Sequence, residues 1–401
     1  MYKKVKEIAD IYYGRDYKKN PKGEGIPIYG TGGLMGYTSI PLNIGPAILS
    51  GRKGSINNPQ YIEGEFWNVD TIFCIKPKHG YHAKWLYYNF LNSDLSALNE
   101  ATGVPSVTSK SLYNLRFKYF EYPQQSKIAE VISQIDNVIE KTQQAIAKYK
   151  CIKQGMLHDL FTRGIGADGK LRPTVQQAPE LYKPSALGMI PKEWEVNELQ
   201  HYLSYISYGF TNPMPTTEDG PFMVTAANIN DGIIQLTTCR RTSQKAFDTL
   251  LTNKSKPIYN DILLTKDGTL GRLAIVETNN ICINQSVAVL RPKSNVNPYY
   301  LKTLLETRDY QKKMLDDAGG STIKHIYITV VDKMLIGVPI DLEEQSLIFQ
   351  MVINIEKAMQ QEEEYLGKLM SLKQGLMADL LTGKKEVIIN EELVSEKAMM
   401  V

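Results

Sequence analysis

The chain has 401 residues, 43% of them hydrophobic and 22% charged, with a formal net charge of +3. That is the composition of a folded chain of two or three domains, not of a disordered or collagen-like one. No apolar run reaches eighteen residues, so a membrane-spanning helix is not expected, and a charge this small does not by itself argue for nucleic acid.

The opening "MYKKVKEIAD" lacks the apolar stretch of a signal peptide, and the four cysteines (Cys74, Cys151, Cys239, Cys282) form no C-x-x-C pair. Free thiols and a cytoplasmic location are the expectation. Residues 1–122 read as a mostly β domain: short alternating or β-branched blocks lie between Gly, Pro and Asn turns. A basic cluster, Arg15, Lys18, Lys19 and Lys22, falls in this part.

Residues 123–164 have a helical pattern. Ile128, Ile132, Ile135, Ile139, Thr142, Ile146, Tyr149, Lys153, Met156 and Leu160 step alternately by four and three, a heptad seam of almost five heptads. The helix ends in "KQGMLHDLFTRG", with Gly164 as its stop. A Gly- and Pro-containing linker spans 165–193, and a second mostly β domain spans 194–340.

Residues 341–384 repeat the helix. Ile348, Val352, Ile355, Met359, Glu362, Leu366, Leu369, Lys373, Leu376 and Leu380 each lie 220 residues after a seam position of the first copy, and "KQGLMADLLTGK" ends it. The polar seam residues match (Thr142 with Glu362, Lys153 with Lys373), which favours one register and one partner orientation. Gly155 and Gly375 also match, suggesting a close backbone approach. Asp341 and Glu344 have capping-box spacing; Glu121 and Gln124 form a weaker version. A tail, 385–401, holds Glu391, Glu392 and Glu396.

The β domains repeat more loosely. "GIPIYGTGG" aligns with "GPFMVTAAN", "AILSGRKGSI" with "DILLTKDGTL", "VDTIFCIKPK" with "NQSVAVLRPK", "KWLYYNFLNS" with "YYLKTLLETR" and "GVPSVTSKSL" with "GSTIKHIYIT". The expected architecture is an α+β fold with a pseudo-twofold internal repeat. Two mostly β heads are separated by two long antiparallel helices that form a coiled coil, each about 60 Å long. Such a spacer could hold two readers on one duplex, whose turn is about 34–36 Å.

No catalytic constellation emerges. "NPQY" (Asn58–Tyr61) and "NPYY" (Asn297–Tyr300) approach a methyltransferase base-gripping motif but lack a Gly-rich donor loop, and read as a turn and a helix start. "GPAILSGRKGS" misses phosphate-loop spacing. Cys74, His79 and His82 lack a second ligand pair for a metal. Neither catalytic, cofactor nor metal residues are expected.

The joint order of the two helix endings, "SALGMIPKEWEV" (Ser185–Val196), "KDGTLGR" (Lys266–Arg272) and "NQSVAVLRP" (Asn284–Pro292) resembles the specificity subunit of type I restriction-modification systems. The likeness covers almost the whole chain up to about Lys385. It implies two target recognition domains, each reading half of a split double-stranded DNA site. It also implies two methyltransferase subunits, docked on the helices and methylating adenine N6, and two restriction (motor-nuclease) subunits, with no membrane partner. S-adenosylmethionine, and ATP with Mg, would then belong to those partners. The first head departs from the pattern, with "SGRKGSIN" where the second has "TKDGTLGR".

Cations suit guanine and amides suit adenine. The DNA-binding candidates are therefore polar loop residues: Arg52, Lys53, Ser55, Asn57, Ser106, Thr108 and Lys110 in the first head, and Lys266, Thr269, Arg272, Asn284, Gln285, Ser321, Thr322 and Lys324 in the second. Two other readings stay open, a self-contained DNA adenine methyltransferase and a structural coiled-coil scaffold.

Overall fold

The structure is a computed structural model and describes residues 1–19, 22–316 and 324–388. The chain folds as two compact units: Met1–Ile146 with Glu362–Val401, and Ala147–Gln361. Each unit holds one head and part of each long helix.

In the first unit the central sheet runs Ala9–Tyr13, Ile72–Pro77, Ala47–Gly51, Gln60–Ile62 in spatial order, all antiparallel. Both faces of the two middle strands are covered, which explains why "AILSG" and "IFCI" are apolar without alternation. Side chains still alternate across the sheet. Ile48, Phe73 and Ile75 face the helix Ala83–Leu91, through Trp85, Leu86 and Phe90, and also Ile128 and Ile132. Leu49, Ile72 and Cys74 face a second sheet through Phe66 and Trp67. In that sheet Lys22–Gly30 forms a hairpin with Gly33–Thr38 and runs parallel to Glu65–Asn68.

The second unit has the same order: Leu203–Tyr208, Val287–Pro292, Ile262–Thr265, Leu273–Ile275. Its second sheet again has one parallel pair, Thr217–Val224 with Ile281–Ile283. Small edge pairs correspond too, Tyr2–Lys4 with Arg116–Lys118 and Trp194–Glu198 with Leu335–Pro339. The loose sequence repeat of the heads is therefore a repeat of topology. One alignment needs correcting. Val107 N–H donates to the carbonyl of Arg52 and Ile326 N–H to that of Lys266, at 3.0 and 2.9 Å. The equivalent of Ser106 is thus His325, two residues away from the sequence alignment.

The long helices are Tyr122–Thr162 and Leu342–Leu380. Ile128, Ile132, Ile146, Ile348 and Val352 are buried, while Ile135, Ile139, Ile355, Met359 and Leu366 are half-buried. Burying such a side chain stabilises by about 1.5–3 kcal/mol. The helices pack antiparallel inside each unit. In the first, Ile128 and Ile132 share a core with Met377 and Leu380. In the second, Leu160 shares one with Ile348 and Val352.

The seam lysines are paired by equivalent acids. Lys153 Nζ lies 2.6 Å from Glu356 in the second unit, and Lys373 Nζ lies 2.6 Å from Asp136 in the first. Thr142 is satisfied within its own helix, donating to the Val138 carbonyl. The matched glycines Gly155 and Gly375 do not mark a close approach, since a Cβ at either would meet nothing within 4 Å. Gly164 and Gly383 do end the helices, at φ +63° and +72°, where a side chain is strained.

The expected capping box does not close. Asp341 accepts from the N–H of Glu343, but Glu344 turns into the core. It accepts from Ile165 N–H, Trp194 Nε1 and the two terminal nitrogens, Nη1 and Nη2, of Arg172. Arg172 and Glu344 are 8% and 7% exposed at the side chain, so this pair needs all its donors. The linker 165–193 is accordingly ordered, with Tyr182–Ser185 and Gly188–Pro191 forming a hairpin. Among the described residues no helix is long and apolar enough to cross a membrane.

Candidate nucleic-acid interface

In each head the second central strand runs into a tight loop. In the first, Ala47–Gly51 leads to Arg52, Lys53, Gly54 and Ser55; in the second, Ile262–Thr265 leads to Lys266, Asp267, Gly268 and Thr269. Gly54 and Gly268 have φ of +92° and +79°, which the turn requires. A single β-bridge ties each loop to the segment before a short helix, Lys53 to Ser106 and Asp267 to His325. The main chain thus presents the same platform twice.

On each platform a cation lies over an exposed tyrosine. The Arg52 guanidinium is 5.4 Å from the Tyr13 ring centre, and Lys266 Nζ is 5.5 Å from that of Tyr208. Tyr13 and Tyr208 remain 54% and 47% exposed. Residue-by-residue reading did not single out these tyrosines. Their common offset from the repeated blocks was the available signal.

The charges differ. The Arg52 guanidinium donates to the main-chain carbonyl of Asp70, and Lys53 is exposed. Lys266 is paired with Asp267 at 2.9 Å, and Asp267 also meets His325 Nδ1 at 2.6 Å. Burial acts to raise the Asp267 carboxyl, but the hydrogen bonds from His325 and Lys266 outweigh it and hold the group below its usual range.

The other candidates divide. Ser55 and Lys110 are exposed near the first loop, and Ser109, the neighbour of Lys110, is hydrogen-bonded to the Tyr13 hydroxyl at 3.1 Å. Thr108 caps the helix Ser109–Asn114 by accepting from Ser111 N–H, and its hydroxyl donates to Glu100. Asn57 accepts from Leu95 N–H, so its carbonyl oxygen serves the fold.

In the second head Thr269 and Arg272 reach the carbonyls of Ala226 and Ile229. Asn284 holds a turn by accepting from Ser286. Gln285 and Lys324 are exposed. Ser321 and Thr322 lie outside the described residues. Cys74 is buried in its sheet, and His82 caps a helix.

The family described as "Type I restriction modification DNA specificity domain" matches residues 1–148 and 191–367, one match over most of each repeat. The chain belongs to the type I restriction-modification DNA specificity family. Among relatives in this family, the type I restriction enzyme EcoBI specificity subunit of Escherichia coli is 25% identical over 342 residues, 78% of this chain and 71% of that protein. The MjaVIII specificity subunit of Methanocaldococcus jannaschii is 23% identical over 310 residues, 76% of this chain and 70% of the relative.

The fold is shared as well. The type I system S subunit of M. genitalium superposes with a TM-score of 0.59 at 15% identity, covering 95% of this chain and 96% of its own. A chain from a type I R-M system studied for complex assembly and conformational transition gives 0.55 at 15% identity, covering 96% and 98%.

Proposed function

We propose that this chain is the non-catalytic reading subunit of a type I restriction-modification complex. Each head binds one half of a bipartite, asymmetric double-stranded DNA site. The paired helices carry two methyltransferase subunits that modify adenine N6, and two restriction subunits join them. On this reading S-adenosylmethionine, and ATP with Mg, are bound by those partners.

The observation that carries the proposal is the duplicated loop. Arg52 over Tyr13 and Lys266 over Tyr208 sit at equivalent places in heads whose other polar residues differ. A cation for phosphate or guanine beside an aromatic face is a DNA-facing pairing, and two unlike copies suit an asymmetric site.

The test exchanges residues 1–122 for the corresponding head of a relative and maps N6-methyladenine across the genome with the partner subunits present. One half of the methylated motif is expected to change while the other stays. A change in both halves, or in neither, contradicts one head per half-site.

A further inference from the structure

The internal repeat makes each unit a template for the other, and one place fails to match. In the first unit the helix Ala83–Leu91 starts at His82, whose N–H donates to Gln125. In the second, Pro298–Leu305 starts at Asn297, whose N–H donates to Gln345. This fixes the alignment of the two helices. Trp85 matches Tyr300 and both are fully buried. Tyr87 and Tyr88 match Lys302 and Thr303.

The two tyrosines fill space in the first unit. Tyr87 packs on Tyr61 and Tyr88, with ring centres 5.8 and 5.2 Å apart. The Tyr88 hydroxyl donates to Asp136 Oδ2 at 2.7 Å, while Asp136 Oδ1 receives Lys373. In the second unit Lys302 and Thr303 line a cavity of about 450 Å³. Phe349 and Ile353, which replace Ala129 and Ser133, form part of its wall. Glu356, the counterpart of Asp136, lines it too. Its Oε1 receives Lys153 at 2.6 Å, and its side chain stays 41% exposed, so Oε2 is accessible to a donor.

We infer that this cavity is a docking site for a tyrosine side chain of another polypeptide, whose ring lies against Phe349 and Ile353 and whose hydroxyl donates to Glu356 Oε2. The first unit supplies the chemistry: its own occupant of the equivalent space is a phenol that donates to a carboxylate already paired with a seam lysine. The precedent is a side chain, so a polypeptide is the source. Glu306 and Glu356 are paired with Lys302 and Lys153, and the further carboxylates of Asp231 and Glu277 on the wall disfavour a phosphorylated ring.

The test uses the full chain with isoleucine methyls labelled, so that Ile353 and Ile234 report on the cavity by NMR. The probes are acetyl-Gly-Tyr-Gly-amide, its Phe and phosphotyrosine counterparts, and free p-cresol. The Tyr peptide is expected to shift both methyls and to bind about tenfold more tightly than the Phe peptide, the size of one charge-assisted hydrogen bond. The phosphotyrosine peptide should give no shift. The K302Y/T303Y double variant rebuilds the ring pair of the first unit and should abolish binding. Thr303→Phe, a smaller filling that serves if the double variant does not fold, should weaken the Tyr peptide at least tenfold. Three results each overturn the inference: no methyl shift with any peptide, equal binding of Phe and Tyr, or binding of p-cresol with the peptides excluded.

Discussion

Arg52 and Lys266 share a place in the fold, but Lys266 is ion-paired with Asp267, whereas the Arg52 guanidinium reaches a main-chain carbonyl. On the proposed DNA-reading role, that difference sets their weights. Arg52→Ala and Lys53→Ala should each flatten the dependence of log affinity on log salt by about one. Lys266→Ala should change it less, because its charge is already balanced. Asp267→Asn should tighten binding by removing a carboxylate from a phosphate-facing loop. Filter binding or fluorescence anisotropy over a salt series reads all four, and an unchanged slope for Arg52→Ala would place that side chain off the DNA. The acid also has a stability role of known sign. The Asp267 carboxyl is held below its ordinary value, so its contribution is complete above the unfolded range near about pH 3.9. It is lost as the pH falls through the lower folded value.

Among the elements, the most demanding joint is the buried pair Arg172–Glu344. Arg172→Met leaves a buried carboxylate facing only neutral donors and should destabilise the second unit by about 3–5 kcal/mol in chemical denaturation. Replacing both partners with apolar residues of similar volume should cost far less. A smaller effect belongs to the seam. Exchanging the charges in K153E/E356K should restore most of the stability that Lys153→Glu alone removes, which a double-mutant cycle measures. These two joints differ in how far the sequence exposes them. The seam is legible because a heptad repeat is a local pattern, and its polar positions announced themselves by recurring. Glu344 is not, since its spacing from Asp341 fits a cap, and its actual partners, Arg172 and Trp194, lie far off in the chain. Gly155 and Gly375 recur as well, yet nothing crowds them, so recurrence alone does not reveal a packing reason.

For the molecule as a whole, the duplication is plain in the helix endings and faint in the heads. The heads keep their strand order, their parallel pair and their bridged loop while sharing few side chains, because burial and main-chain pairing tolerate any apolar residue of suitable size. That tolerance is why the match of Ser106 to His325 escaped alignment: a hydrogen bond to the Arg52 or Lys266 carbonyl defines it, and no residue type marks it. The match of Tyr87 and Tyr88 to Lys302 and Thr303, by contrast, is already in the alignment of "KWLYYNFLNS" with "YYLKTLLETR", and only the fold shows the cavity beside the second pair. Under the proposed function the two heads act on separate half-sites. Arg52→Ala should then relax the methylated motif in one half only, and Lys266→Ala in the other. Combined, the two substitutions should add in free energy to within about 0.5 kcal/mol; a larger coupling would mean that one half-site senses the other.

Gln125 and Gln345 are wholly buried, and each holds its head by main-chain groups alone. Gln125 takes the N–H of His82 and gives to the carbonyl of Phe120. Gln345 takes the N–H of Asn297 and gives to the carbonyls of Pro339 and Asn295. A fastener of this kind makes almost no claim on the amino acids it grips. Genetic exchange with breakpoints beside either glutamine keeps this anchor for any incoming head that brings a helix start and a strand end to the same spot, while the apolar contacts between the head core and the long helices still have to be matched.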